Sequence, residues 1–139
     1  MRLLIIALAL LAQPSAPPAT SFRARLSPVP VESSTASKIT GSGTVTATLD
    51  GSKLTINGTF QGMRSPATIA QIHMGQRGVR GPVEFDLHVD KSASGNISGT
   101  ITLTKVQVDT LRRGWYYIQI HAEDAPEGNL WGWLLSPGS

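Results

Sequence analysis

Two of the three histidines in this chain lie in copies of one short motif, Gln-Ile-His, at the end of an apolar run. The first copy, in TIAQIHMG, provides His73, and the second, in YYIQIHAE, provides His121. Imidazole binds copper and zinc well, and a catalytic zinc site usually takes three protein ligands. Asp124 follows closely after His121 and is the third candidate ligand. The residue types therefore allow a copper or zinc site made of His73, His121 and Asp124.

The alternation of side chains along a strand decides which face carries these histidines. If Ile72 points inward, His73 points outward, and an inward Ile120 likewise places His121 outward beside Gln119. If the two strands are neighbours, both imidazoles share one exposed or half-covered face. Two interpretations stay open for this face: weak metal binding, or a pair of polar residues that hydrogen-bond to loop backbone.

Other kinds of catalytic site have little support in the sequence. No Gly-x-Ser-x-Gly motif is present, so a serine nucleophile of that type is not indicated. The chain has no cysteine, which excludes disulfides and thiolate metal sites. A dismutase site would need more than three histidines, and His88 lies on the polar face of its strand, where we expect it to be solvated. We therefore predict a protein that is not an enzyme and has no cofactor, unless copper or zinc binds.

Four aromatic residues alternate along the last two predicted strands, opposite the aliphatic residues of the same segments: Trp115, Tyr117, Trp131 and Trp133. If these rings are exposed, they form an apolar patch that suits a protein or glycan partner. If a loop covers them, they are part of the core. The sequence favours neither alternative over the other.

The charge pattern argues against a nucleic-acid partner. The formal net charge of the full chain is +3, and its basic residues are scattered rather than clustered. A nucleic-acid footprint would be a dense basic face with aromatic residues between the charges.

The first residues have the pattern of a secretory signal peptide. Arg2 precedes the apolar segment of residues 3–12, and Pro, Ser and Ala residues follow it. Ten apolar residues are too few for a helix that spans a bilayer, which needs about twenty. We predict a signal peptide over residues 1–19 with an uncertain cleavage site, and a mature domain over 20–139. The protein is then secreted or periplasmic and has no transmembrane segment after signal removal.

The mature domain reads as an all-β fold. Residues 44–49 and 53–60 alternate polar and apolar types on either side of Asp50-Gly51, which predicts a hairpin. Similar segments recur with turn signals every 8–12 residues, and one short helix is indicated between Thr104 and Gly114. The pattern predicts an antiparallel Ig-like or Greek-key β-sandwich, or a barrel, of about eight strands.

The order of several short motifs resembles the CHRD domain, a module first described in chordin and common in bacterial secreted proteins. The similar segments are AQIHMGQRGVRGPVEFDL, SGNISGTITLT and LRRGWYYIQIHAEDAPEGNLWGWL. Turn glycines and apolar positions fall into register over nearly the whole mature chain. The polar positions of the family pattern are mostly replaced here, at Gln71, Gln119, Ala125, Asn129, Trp131 and Trp133.

The resemblance implies an Ig-like or superoxide-dismutase-like sandwich that acts as a binding or structural module of unknown partner. Because the fold positions are kept while the polar positions differ, we expect a polar site built by the family to be weakened or changed in this chain. The alternative function is a copper- or zinc-binding domain that uses His73 and His121 on the same sandwich.

Overall fold

The structure is a computed structural model, and it describes residues 19–138 of the 139-residue chain. Residues 1–18, which hold nearly all of the predicted signal peptide, lie outside the described residues, so that prediction stays a prediction. Residues 19–138 form eight strands and one α-helix: β1 (Thr20–Pro28), β2 (Ser42–Asp50), β3 (Lys53–Gln61), β4 (Ala67–Met74), β5 (Val83–Val89), β6 (Gly95–Thr102), α1 (Lys105–Arg112), β7 (Tyr116–Ala122) and β8 (Ala125–Trp133).

The strands close into an antiparallel barrel in the order β1-β2-β3-β6-β5-β4-β7-β8, with β8 paired back to β1. Strands β4, β5 and β6 follow one another as neighbours, and β7 returns to lie beside β4, which is a Greek-key arrangement. The prediction of an all-β antiparallel fold of about eight strands is confirmed, and the barrel is the form that it takes.

Local signals in the sequence produce the predicted turns. Asp50-Gly51 begins the turn of the β2–β3 hairpin, where Gly51 has a φ of +61°, a conformation that glycine adopts without a steric penalty. The Thr104 side chain caps α1 by accepting from the Gln107 backbone N–H, and the Gln107 side chain accepts from the Thr104 N–H in return. Gly114 follows the helix with a φ of +74° and leads the chain into β7.

The barrel core comes from the inward side chains of all eight strands. Alternate residues of β2 and β3, such as Val45, Leu54 and Ile56, are fully buried, as are Ile72 of β4 and Ile118 of β7. Strand β1, which the sequence predicts as an edge strand, pairs with β2 along most of its length and with β8 at its end. The closure of the barrel therefore leaves β1 with neighbours on both sides.

Strand β8 begins earlier than the sequence predicts. The segment AEDAPEGN was expected to be a loop, but Ala122 pairs with Ala125 across a tight turn, and β8 starts there. The register between β7 and β8 shifts between Ile120 and Ala122, because the β8 chain bulges between Ala125 and Leu130. A bulge admits proline and glycine, whose presence made the segment look like a loop.

Candidate functional site

The outward faces of β4, β7 and β8 carry one group of polar and aromatic side chains, which we name the outer cluster. Tyr117 of β7 lies between His73 of β4 and Trp133 of β8 in the strand register, and Gln119 pairs with Trp131 in the same way. Because alternate residues share a face, His121 also belongs to this side of the sheet. The outer cluster comprises His73, Tyr117, Gln119, His121, Trp131 and Trp133.

A loop of residues 75–82, between β4 and β5, covers part of the outer cluster, and we name it the covering loop. The Trp133 Nε1–H donates to the Gly75 carbonyl at 2.9 Å. The Gly81 N–H donates to the Tyr117 hydroxyl at 2.9 Å, and that hydroxyl donates to the Gly81 carbonyl at 3.3 Å. These bonds fix the loop over the sheet, so that Tyr117 is 1% exposed and His73 is 7% exposed.

Ring packing holds the aromatic members of the outer cluster in fixed positions. The His73 imidazole stacks on the Tyr117 ring with centroids 5.0 Å apart. Tyr117 also contacts the rings of Trp131 and Trp133 at centroid distances of 5.8 and 4.6 Å. The two indoles meet edge to face at 4.7 Å, and the Arg80 guanidinium lies 5.6 Å from the Trp131 ring centroid.

Hydrogen bonds define the state of both imidazoles. His121 Nδ1 lies 2.8 Å from the Pro126 carbonyl, and its Nε2 lies 3.2 Å from the Gln119 side-chain nitrogen. A carbonyl only accepts and an amide nitrogen only donates, so this geometry fits a neutral ring protonated on Nδ1. His73 Nδ1 lies 2.9 Å from the Gly81 carbonyl and is its donor by the same reasoning. His73 Nε2 is buried and has no hydrogen-bond partner among the described residues.

The structure brings together two of the three residues considered for a metal. The imidazoles of His73 and His121 lie side by side with centroids 6.3 Å apart. Asp124 instead lies exposed in the β7–β8 turn, where its backbone N–H donates to the Ser65 hydroxyl at 2.9 Å. Within residues 19–138, no group of three or more His, Cys, Asp or Glu residues is arranged to hold a metal ion. Copper or zinc binding by His73 and His121 remains an untested hypothesis.

The four aromatic residues considered for a partner occupy different environments. Tyr117 is buried under the covering loop, whereas Trp131 and Trp133 are half-buried and line a surface cleft of about 830 Å³. Trp115 lies apart, immediately before β7, with the Arg113 guanidinium 5.5 Å from its ring centroid. The fourth residue is thus not part of the outer cluster, and the two indoles of β8 are the aromatic surface of the cleft.

The opposite wall of the cleft comes from β1, which pairs with β8 through Ser27 and Trp131. Arg23 and Arg25 alternate along β1 with the buried Phe22, Ala24 and Leu26, so their side chains point outward beside the indoles. Arg77 of the covering loop also lines the cleft. Sequence reasoning missed these arginines, although the period-two pattern of residues 22–26 already places Arg23 and Arg25 on one outward face.

His88 is exposed, as the sequence predicts. Its Nε2 lies 3.6 Å from an Asp90 carboxylate oxygen, far along the chain from the outer cluster. Since its side chain is 72% exposed, this pair contributes little to stability. His88 therefore has no part in the site.

Comparison with known proteins gives one family. The family model described as "CHRD domain" matches residues 22–134, which includes all eight strands except the first residues of β1. Neither the curated proteins nor the solved structures give a significant match. In the part of the chain that the structure describes, no helix has the length and apolar character needed to cross a membrane.

Proposed function

Because the chain belongs to the CHRD domain family, we propose that it is a non-enzymatic binding module that acts outside the cytoplasm, as a secreted or periplasmic protein. The predicted signal peptide over residues 1–19 supports the compartment. The proposed binding surface is the cleft between β1 and β8, whose aromatic wall is formed by Trp131 and Trp133.

The observation that carries this proposal is the way the two indoles are held. Tyr117 packs against both rings, and the covering loop accepts the Trp133 N–H bond, so neither ring is free to reorient. Both rings nevertheless keep exposed surface in a concave cleft. Aromatic side chains that are ordered before binding give a large contact area at a low entropic cost, and tryptophan is enriched where binding energy is concentrated.

The departures from the family pattern agree with this location. Trp131 and Trp133 stand where the family pattern has polar residues, and so does Gln119, which bonds to His121. The neighbouring frame of turn glycines and apolar residues is unchanged. A conserved frame with altered surface residues supports a module whose ligand differs from those of its relatives.

The test is a binding screen of the folded protein against an array of glycans and an array of secreted and cell-surface proteins. We expect Trp131→Ala to weaken any ligand of the wild type by about thirtyfold, the effect of a tryptophan at the centre of an interface. Trp115→Ala is the matched control, since Trp115 lies outside the cleft, and it should retain wild-type affinity.

Circular dichroism and thermal melting would confirm that both variants remain folded. The proposal is overturned if the wild type retains no member of either array, or if the ligands that it retains bind equally well to folded Trp131→Ala.

A further inference from the structure

We propose that the ligand of the cleft between β1 and β8 is an anionic saccharide, an inference that deepens the proposed function and rests on it. The cleft holds about 830 Å³, which falls within the size range of small-ligand sites. Its wall combines two indoles, three arginines and several hydroxyl groups: Ser21, Phe22, Arg23, Arg25, Ser27, Thr46, Arg77, Gly78, Trp131, Gly132, Trp133, Leu135, Ser136 and Pro137.

The charge of the cleft has a single sign. Arg23, Arg25 and Arg77 line it, and no Asp or Glu is among its lining residues. The three arginines approach from two sides, because Arg23 and Arg25 belong to β1 and Arg77 belongs to the covering loop. In the part of the chain that the structure describes, the salt bridge is between His88 and Asp90, so no carboxylate side chain neutralises these guanidinium groups. Guanidinium groups bind carboxylates and sulfates through two parallel hydrogen bonds.

The indoles add a contact that a simple anion site would lack. Trp131 and Trp133 present apolar ring surface beside the arginines, and their fixed orientation suits the C–H face of a sugar ring. The hydroxyl groups of Ser27 and Thr46 on the cleft wall match the hydroxyl groups of a saccharide as donors and acceptors. A ring with an apolar face, hydroxyl groups and a carboxylate or sulfate meets all three kinds of wall.

A nucleic acid fits the cleft less well than a saccharide. Single strands bind through successive bases that stack on aromatic platforms, together with a continuous basic groove. Here the planes of Trp131 and Trp133 are inclined at 69°, so they do not form two parallel platforms. The formal net charge of the chain is only +3, and the single-signed charge is local to the cleft.

The test uses two pairs of probes that differ in charge but share a sugar backbone. Oligogalacturonate is compared with its full methyl ester, and dextran sulfate is compared with dextran, by calorimetric titration of the full chain. We expect at least one anionic probe to bind about tenfold more tightly than its neutral counterpart and to weaken as salt is raised. Arg23→Gln/Arg25→Gln should weaken that probe by about tenfold and reduce its salt dependence.

The matched control is Lys53→Gln/Lys91→Gln, which removes the same amount of charge from positions outside the cleft, and it should keep wild-type affinity. Poly-glutamate and oligothymidylate test an acidic peptide and a nucleic acid as competing ligands. The inference is overturned if neither anionic probe binds, if a neutral probe or one of these competitors binds as tightly, or if the double arginine variant binds normally.

These failures differ from a failure of the binding module itself. A neutral glycan, peptide or protein that binds in a Trp131-dependent way would reject the anionic saccharide and leave the proposed function standing. The absence of any Trp131-dependent ligand would reject both.

Discussion

Tyr116 and Tyr117 are neighbours in β7 and are equally buried, but different parts of the molecule bury them. Each exposes 1% of its surface. Tyr116 points into the barrel, where its ring meets the edge of Phe85 at a centroid distance of 6.0 Å. Tyr117 points away from the barrel, and its hydroxyl bonds to Gly81 of the covering loop.

The difference separates the stability of the barrel from the order of the outer cluster. Tyr116 is enclosed by strands that every other strand of the closed barrel supports, so exposing it requires disruption of the core. Tyr117 is enclosed by one loop held by a few hydrogen bonds, so exposing it requires only local opening. We infer that the outer cluster and the cleft beside it can be altered while the barrel stays intact.

The sharpest way to separate the two sides of β7 is Gly81→Ala. A Cβ at residue 81 would lie 1.6 Å from the Met74 carbonyl oxygen, so the covering loop must move away from the sheet. We expect the free energy of unfolding to fall by about 2–4 kcal/mol, in the range of severe local clashes. Tyrosine nitration with mass spectrometry should then modify Tyr117 and leave Tyr116 protected.

Gly78→Ala is the control in the same loop. A Cβ at residue 78 meets no heavy atom within 4 Å, although the φ of +81° makes alanine strained there. The cost should be about 1 kcal/mol, without new nitration of Tyr117. Equal protection of Tyr117 in Gly81→Ala and the wild type would contradict the role assigned to the covering loop.

A smaller change compares the two hydroxyl groups directly. Tyr117→Phe removes the acceptor of the Gly81 N–H, and we expect a loss of about 1–3 kcal/mol because a buried donor is left unpaired. Hydrogen exchange should speed up at residues 75–82 while the core amides of β3 exchange as before. Tyr116→Phe should instead shift global unfolding alone, and faster exchange in the covering loop of that variant would contradict the separation.

Much of the barrel could be predicted from the sequence because its signals are local. The Asp50-Gly51 turn, the capping Thr104 and the period-two alternation each depend on residues close together in the chain. The misplaced start of β8 shows the limit of such signals. Pro126 and Gly128 mark a loop by composition, but the bulge opposite β7 accommodates them within a strand, and only the pairing partner reveals this.

The candidate site could be predicted only in part for the same physical reason. Alternation placed His73 and His121 on the outward face, and the pairing of β4 with β7 brings them together. The covering loop could not be foreseen, since its contact with Tyr117 joins residues 36 positions apart. The cleft likewise depends on the closure of β1 against β8, which connects the two ends of the domain.

Alkaline pH offers the smallest and most selective difference between the two tyrosines. Burial, with a further contribution from the negative charge of Glu84, raises the pKa of Tyr116 from 10.0 to about 12, while a hydrogen bond with Thr110 opposes the shift. The unfolded chain therefore loses this proton at a lower pH than the folded protein. The stabilisation is fully present below pH 10 and is lost as the pH rises through about 12.

The expected loss across this window is about 2 kcal/mol of unfolding free energy, measured by urea unfolding at pH values on either side of it. Tyr116→Phe should lack this part of the decline, because its ring has no proton to lose, whereas Tyr117→Phe should retain it. Lysine and arginine titration affects all three proteins alike and cancels in the comparison. If Tyr116→Phe declines as steeply as the wild type, the inward side of β7 does not hold a neutral phenol against alkali, and the contrast between the two tyrosines is confined to their hydrogen bonds.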